Sequence, residues 1–340
     1  FNFMRKKTFV IAEIGPNHNG SLKKAIKMID QLANSGVDSI KFQLGNPEKV
    51  YSRSSFKANY QKKNDDHKNI IEMARAYQLS KKDHIKLSNY CKKKKIFYSC
   101  TAFDLDSLKF LDKVINIPFF KIASGEVFSI DMLDYISKKN KPIFLSTGMS
   151  TFSDIKLILK KLNKNKKKDI TIMHCVSSYP AKKENLNLNI IDEIKKNFNY
   201  KVGYSDHSLG NDACLIAVSK GATVIEKHVT LSKSLKGPDH KSSATIKEFI
   251  NLVKKIRNYE LILGKKFKSF SKSEIHIQKV ARKSAATSRK IFKNEKIKIK
   301  DICFRRPGTG VSPFNIKKII GKKTLIDLEK NILIDPKHLK

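Results

Sequence analysis

Eight short apolar runs, each followed by a helix-period pattern, leave few folds open to this chain. They are Phe9–Glu13, Ser39–Gln43, Ile96–Thr101, Phe119–Ser124, Pro142–Thr147, Thr171–Val176, Val202–Ser205 and Thr223–His228. Runs that are apolar on both faces fit a parallel sheet covered on each side. Their alternation with helices fits βαβ units. Ser21 is placed to cap a helix that Gly36 stops, and Ser153 precedes a helix carrying Ile155, Ile158 and Leu162. Thr245-Ile246-Lys247-Glu248 is a capping box, opening a helix that ends at Gly264. Eight strand–helix units within residues 1–264 predict an α/β fold, a (β/α)8 TIM barrel, which takes roughly 250 residues; a doubly wound sheet is the alternative. The stretch from Leu44 to about Ser80 reads as an enlarged loop with one short helix, placed to overhang the barrel mouth. Residues 265–281 are polar and Lys/Ser-rich and read as a linker. Residues 282–340 carry short β-like pieces and frequent turns and read as a small, β-rich domain.

The chain's 340 residues include 70 Lys and Arg against 31 Asp and Glu, a formal net charge of +39. That excess raises the class of nucleic-acid-binding proteins. Two features weigh against it. Only eight of the basic residues are Arg, whose planar fork does most base and phosphate recognition. The lysines are also spread along the whole chain. Weak, salt-sensitive binding of polyanions is the expected consequence. No apolar run approaches the roughly 20 residues of a membrane span. The segment Phe1–Lys7 has no signal-peptide pattern, and Met4 reads as a natural start. The five cysteines are odd in number and widely spaced, with no CxxC. They point away from a disulfide framework and toward a reducing, cytoplasmic setting.

In barrels of this kind the chemistry sits at the C-terminal strand ends. Here those ends are unusually polar: Glu13, then Gly15-Pro16-Asn17-His18-Asn19-Gly20; Lys41 and Gln43; Thr101; Lys121, Ser124 and Glu126; Ser146-Thr147-Gly148; His174, Ser177, Ser178 and Tyr179; Ser205-Asp206-His207; Glu226 and His228; and Gly237-Pro238-Asp239-His240. Lys41 and Lys121 lie inside strand-like apolar runs. A buried lysine needs a negative partner, which is either a carboxylate such as Glu13 or Glu126, or an anionic ligand. Hydroxyls and Gly backbone amides at Ser124-Gly125 and Ser146-Thr147-Gly148 would complete an anion site. His207 and His228 come from neighbouring strands and can share a divalent cation such as Mn²⁺ or Mg²⁺, with positions left for water and substrate. His18 and His174 are further candidates by spacing alone.

Taken in order, Ala12–Gly20, Ile40–Gln43, Phe120–Glu126, Leu145–Met149, His174–Pro180, Gly203–His207, Ile225–His228 and Gly237–Lys241 resemble the sialic acid synthase family. Phe304–Gly310 and Ile320–Lys322 resemble that family's antifreeze-like (SAF) domain. The resemblance implies condensation of phosphoenolpyruvate with an N-acetylated amino sugar. It assigns His207 and His228 to the metal. It assigns Lys41, Thr101, Lys121, Ser124, Ser146 and Ser205 to phosphoenolpyruvate, and Gln43, Tyr179 and Asp239 to the sugar. Glu13 and Glu126 would stand beside the reacting carbons. It further implies a homodimer in which the SAF domain reaches the partner's barrel and Arg306 contacts the sugar's N-acetyl group. Cys100-Thr101-Ala102-Phe103 departs from the family's Ser-Thr-Pro-Phe, and Ser177-Ser178 from its usual Asn or Glu. The glycine-rich motifs look more like N-acetylneuraminate or N,N'-diacetyllegionaminate synthases than pseudaminate synthases. An aldolase-type enzyme using phosphoenolpyruvate and a plain aldose phosphate is the nearest rival.

Overall fold

A computed structural model describes residues 7–164, 167–264 and 267–340. The reading of residues 1–6, including Met4, lies outside them, as do residues 265–266 of the expected linker. The chain divides into two compact units, Phe1–Gly264 and Lys265–Lys340.

In the first unit eight parallel strands close on themselves. They are β1 (Phe9–Glu13), β2 (Ser39–Leu44), β3 (Phe97–Ala102), β4 (Phe120–Ile122), β5 (Ile143–Ser146), β6 (Ile170–Cys175), β7 (Lys201–Asp206) and β8 (Val224–Thr230). Pairing runs from β1 in order to β8, and β8 pairs back onto β1. A two-residue strand, β9 (Ala244–Thr245), extends β8. Helices α1 (Leu22–Leu32), α2 (Pro47–Val50), α3 (Asn59–Asn64), α4 (Ile70–Ala76), α5 (Lys81–Lys93), α6 (Leu105–Phe110), α7 (Ile130–Ser137), α8 (Phe152–Leu162), α9 (Ile190–Phe198), α10 (Asp212–Ser219) and α11 (Ile246–Leu263) fill the crossovers and the exit from β8.

Strand alternation sorts the side chains into two cores. Outward residues such as Val10, Ile40, Phe120, Leu145, Ile172 and Ile225 pack under the helices. Inward residues Ile11, Phe119, Phe144, Met173 and Val224 plug the lower barrel. One pleat step higher the inward residues are Glu13, Lys41, Thr101, Lys121, Ser146, Cys175, Ser205 and Glu226, so a polar layer rests on an apolar floor.

Three local readings of the sequence are corrected. The cap of α8 is Thr151, whose hydroxyl accepts from the Asp154 amide, and Ser153 lies inside the helix. The stretch after β2 holds three short helices, α2 to α4, where one was expected. Its bend is tied by a buried ammonium: Lys57 Nζ donates to Asp65 Oδ1 and O, both at 2.7 Å, and to His67 O at 3.0 Å. The linker contains α12 (Lys272–Ala281), because Ser271 and Glu274 form a reciprocal capping box.

In the second unit β10 (Ser284–Thr287) pairs antiparallel with β11 (Ile302–Arg305), and isolated bridges such as Ile291 with Leu328 continue the pattern. Its core is Ala285, Ile291, Ile297, Ile319, Leu328, Ile334 and Leu339. Among the described residues no helix is long and apolar enough to cross a membrane, and all five cysteines are unpaired.

Candidate active site

The polar layer opens into a cavity of about 370 Å³ at the C-terminal ends of the strands. Its wall brings together most residues singled out from sequence: Lys41, Gln43, Thr101, Lys121, Ser124, Ser146, Tyr179, Ser205, His207, His228 and Asp239. Glu13 lies fully buried beneath it.

Lys41 and Lys121 are 3% and 7% exposed, so their charges need partners. Strand register supplies them. Glu13 sits opposite Lys41 across the β1–β2 pair, and its Oε2 is 2.6 Å from the ammonium. Lys41 also donates to Thr101 Oγ1 at 2.7 Å, and Lys121 to Ser146 Oγ at 2.7 Å. Glu226 Oε1 stands between the two ammonium groups, 3.8 Å from Lys41 and 3.6 Å from Lys121, and accepts from Ser205 at 3.3 Å. Two carboxylates therefore balance two ammonium groups in one layer.

The balance is uneven. Burial pushes the Glu13 carboxyl up to about 7, with Lys41 pulling it down and Glu226 pushing it further up. Burial also acts to raise Glu226, but Lys121 and Lys41 outweigh it and hold that carboxyl below its ordinary range. Lys41 is held above its ordinary range, since Glu13 and Glu226 outweigh its burial. Lys121 falls below it, through burial first and then the repulsion of Lys41, against the pull of Glu226.

Glu226 was legible only as a strand residue, with no role assigned, yet it is the carboxylate that Lys121 faces. Glu126 follows the cavity-lining Ser124 and Gly125 and acts electrostatically on Tyr51 of the wall. It lies in a turn after β4, takes a hydrogen bond from Ser129, and does not line the cavity. His18 and His174 are also outside it. His18 is buried against Phe42 and accepts from the Gly20 amide at 3.1 Å. His174 points to the outer layer, stacked on Tyr204, with Nε2 bonded to Leu186 O. Arg306 is an exposed residue of the second unit.

Next to the lysines, Gly148 donates its amide to Ser124 Oγ at 3.0 Å. A Cβ there would overlap the Ser177 hydroxyl and come within 2.8 Å of Ser124 Oγ, so both hydroxyls would have to turn away to admit it. The Thr147 and Gly148 amides are taken by Met173 O and Ser124 Oγ, so this side of the cavity is lined by the hydroxyls of Ser124, Ser146 and Ser177.

The opposite side of the cavity carries the imidazoles, whose ring centroids are 5.3 Å apart. His207 Nδ1–H donates to Val176 O at 2.8 Å, which fixes the ring and leaves Nε2 as the free electron pair. His228 is kept neutral by burial and by the nearby His207. Its buried Nδ1 has no hydrogen-bond partner, and Asp239 Oδ2 lies 3.5 Å away. Two imidazoles with a carboxylate alongside fit a divalent cation that completes its shell with water and substrate oxygens. The His207 ring, whose burial is outweighed by Cys175 and the Val176 carbonyl so that it is held above its ordinary range, gives up its proton to serve as a ligand. No group of three or more His, Cys, Asp or Glu arranged as a full metal cage occurs among the described residues. Tyr179 packs over His207, with centroids 4.1 Å apart. Tyr60 of α3 stacks on Tyr179 at 5.0 Å, so the excursion after β2 walls the mouth.

The NeuB family model matches residues 28–268. N,N'-diacetyllegionaminic acid synthase of Campylobacter jejuni is 38% identical over 97% of this chain and 99% of that protein. The enzyme of the same name from Legionella pneumophila is 35% identical over 97% and 94%. A crystal structure of N-acetylneuraminic acid (sialic acid) synthetase from Leptospira borgpetersenii superposes with a TM-score of 0.72 at 33% identity, covering 80% of this chain and 90% of that one. A closed parallel barrel with a paired-lysine, paired-histidine cavity, matched along its length by these synthases, makes the chain a member of the NeuB family and an enzyme of the NeuB synthase type.

Proposed function

We propose that this enzyme condenses phosphoenolpyruvate with an N-acetylated amino sugar, releasing a nonulosonic acid and phosphate. The observation that carries the reading is that both buried ammonium groups and both imidazoles line one cavity. The preferred acceptor is a 2,4-diacetamido-2,4,6-trideoxyhexose, the legionaminate precursor, over N-acetylmannosamine. The relatives named N,N'-diacetyllegionaminic acid synthase support that preference.

C3 of phosphoenolpyruvate attacks the open-chain sugar's aldehyde carbon, whose oxygen takes up a proton to become a hydroxyl. Water adds at C2 and gives up a proton. The tetrahedral centre then loses its hydroxyl proton as the C2–O bond to phosphate breaks, leaving the keto group and inorganic phosphate. Lys41 and Lys121 hold the phosphate and carboxylate charges where water is scarce and their fields are strong. Ser124, Ser146, Ser205 and Thr101 supply neutral donors. His207 and His228 would hold a Mn²⁺ or Mg²⁺ ion, and the chemistry such an ion would supply is Lewis-acid polarisation of the acceptor's carbonyl. Gln43, Tyr179 and Asp239 orient the sugar. Glu13, whose carboxyl burial raises, and Glu126 are the two candidates to take the proton from the attacking water. Holding both substrates at one mouth gives the orientation that a bimolecular step needs.

The resemblance extends the reading to the second unit. It would be an antifreeze-like SAF domain, and in a cytoplasmic homodimer its Arg306 would reach the sugar's N-acetyl group in the partner's barrel.

The test is incubation with phosphoenolpyruvate, Mn²⁺ and either acceptor, following phosphate release and the product's mass. A nonulosonic acid from the diacetamido sugar is expected. Phosphate release only with a plain aldose phosphate would replace this reading with the aldolase-type one.

A further inference from the structure

Most outward side chains of the barrel strands are apolar, but directly behind the imidazoles a buried ion pair stands among them. Asp206 and Lys227 each precede a candidate metal ligand in sequence, so strand alternation turns them outward where His207 and His228 turn inward. They are 1% and 2% exposed, and they sit opposite each other in the β7–β8 register. The Lys227 ammonium contacts the Asp206 carboxylate directly and donates to Ser208 O at 2.7 Å. Asp206 Oδ1 accepts from the Ser208 amide at 2.9 Å, the Ser208 hydroxyl at 2.7 Å and the Tyr204 hydroxyl at 3.0 Å; Oδ2 accepts from the Cys214 thiol at 3.2 Å. The turn holding His207 is therefore gripped through both the amide and the carbonyl of Ser208. Its own carbonyl accepts from the Ala181 amide at 3.0 Å.

From this arrangement we infer that Asp206 and Lys227 are positioning residues that set the separation of the two imidazoles for a divalent cation. The inference rests on the metal assignment of the proposed function. A buried ion pair replaced by well-packed apolar groups often leaves stability unchanged or raised, so stability alone does not account for a charged pair here. An ion pair with five hydrogen bonds fixes distance and orientation across two strands, which apolar contacts do only loosely. Each outward side chain shares its backbone with the adjacent inward histidine, so a shift of one strand against the other reaches the imidazoles directly.

The experiment measures Mn²⁺ affinity of the full chain, without substrates, by electron paramagnetic resonance of free Mn²⁺, alongside thermal melting. The apolar double variant Asp206→Leu/Lys227→Met is expected to remain folded and to bind Mn²⁺ about 10–100-fold more weakly, the usual cost of losing an outer partner of a metal ligand. Its kcat at saturating Mn²⁺ should fall much less than its Mn²⁺ affinity. Ser208→Ala, which removes one hydroxyl from the grip, serves if the double variant does not fold, and should weaken Mn²⁺ binding by severalfold. Wild-type Mn²⁺ affinity in a folded double variant, or in Ser208→Ala where that carries the test, overturns the inference. A wild-type protein that binds no Mn²⁺, like the His207→Ala control, overturns the metal assignment itself and the inference with it.

Discussion

Replacing Glu226 with Gln isolates the uneven charge balance of the cavity. Lys121 is already below its ordinary range through burial and the repulsion of Lys41, and Glu226 is the carboxylate that opposes both. At 3.6 Å and an effective dielectric of about 20, one carboxylate charge stabilises the ammonium by about 4–5 kcal/mol. The glutamine carbonyl and relaxing water recover part of this. Were two thirds recovered, the remaining ~1.4 kcal/mol would still move the ammonium–amine equilibrium tenfold. The sign is fixed: a lysine pushed further down loses its charge sooner as pH rises. In Glu226→Gln the kcat/KM for phosphoenolpyruvate should therefore decline with rising pH earlier than in the wild type. The ratio of variant to wild type, followed by phosphate release between about pH 6 and pH 9, brackets the window below the ordinary lysine value. A ratio that stays constant, or that falls toward acid, refutes the electrostatic account of Lys121.

Other consequences are local. Gly148→Ala sets a methyl against the Ser177 and Ser124 hydroxyls; such overpacking costs about 1–3 kcal/mol, and it should raise the KM for phosphoenolpyruvate with little change in that for the sugar, whereas equal changes in both would contradict the assigned anion site. Phe249→Ala empties a fully buried site on α11 and should cost about 3–5 kcal/mol in urea unfolding; a loss under about 1 kcal/mol would mean the site collapses to fill the space. Lys57→Met leaves Asp65 buried without its ammonium, and should speed amide exchange across residues 51–77 while β1 to β8 stay protected. Exchange quickened equally in the barrel strands would show that the excursion does not open on its own.

The barrel was legible because its strands are the apolar runs themselves, and the polar strand ends could be listed from alternation within them. Boundaries moved by a residue or two where the ladder, which sequence does not display, extends or trims a run, as at Ile170 and Ala102. Helices α2 to α4 were too short for an apolar period to emerge. The SKSE box at Ser271 was visible but outweighed by a Lys/Ser-rich surrounding. Glu226 was missed as a partner for a physical reason: whether a carboxylate faces one lysine, two or none depends on cross-barrel distances. The direction of Glu126 was not legible either, because its place next to Ser124-Gly125 in sequence leaves open that Ser129 donates to it.

The excursion after β2 gives the molecule a division of labour. The lysine end of the cavity is built from strand residues whose geometry the closed sheet dictates, while Tyr51, Tyr60 and Gln61 hang from a separate knot tied by Lys57 and Asp65. Changes in that knot can reshape one wall without disturbing a single strand pairing. Acceptor choice in such an enzyme is then free to drift over evolutionary time, or to be regrafted by an engineer, on a chemistry that stays put.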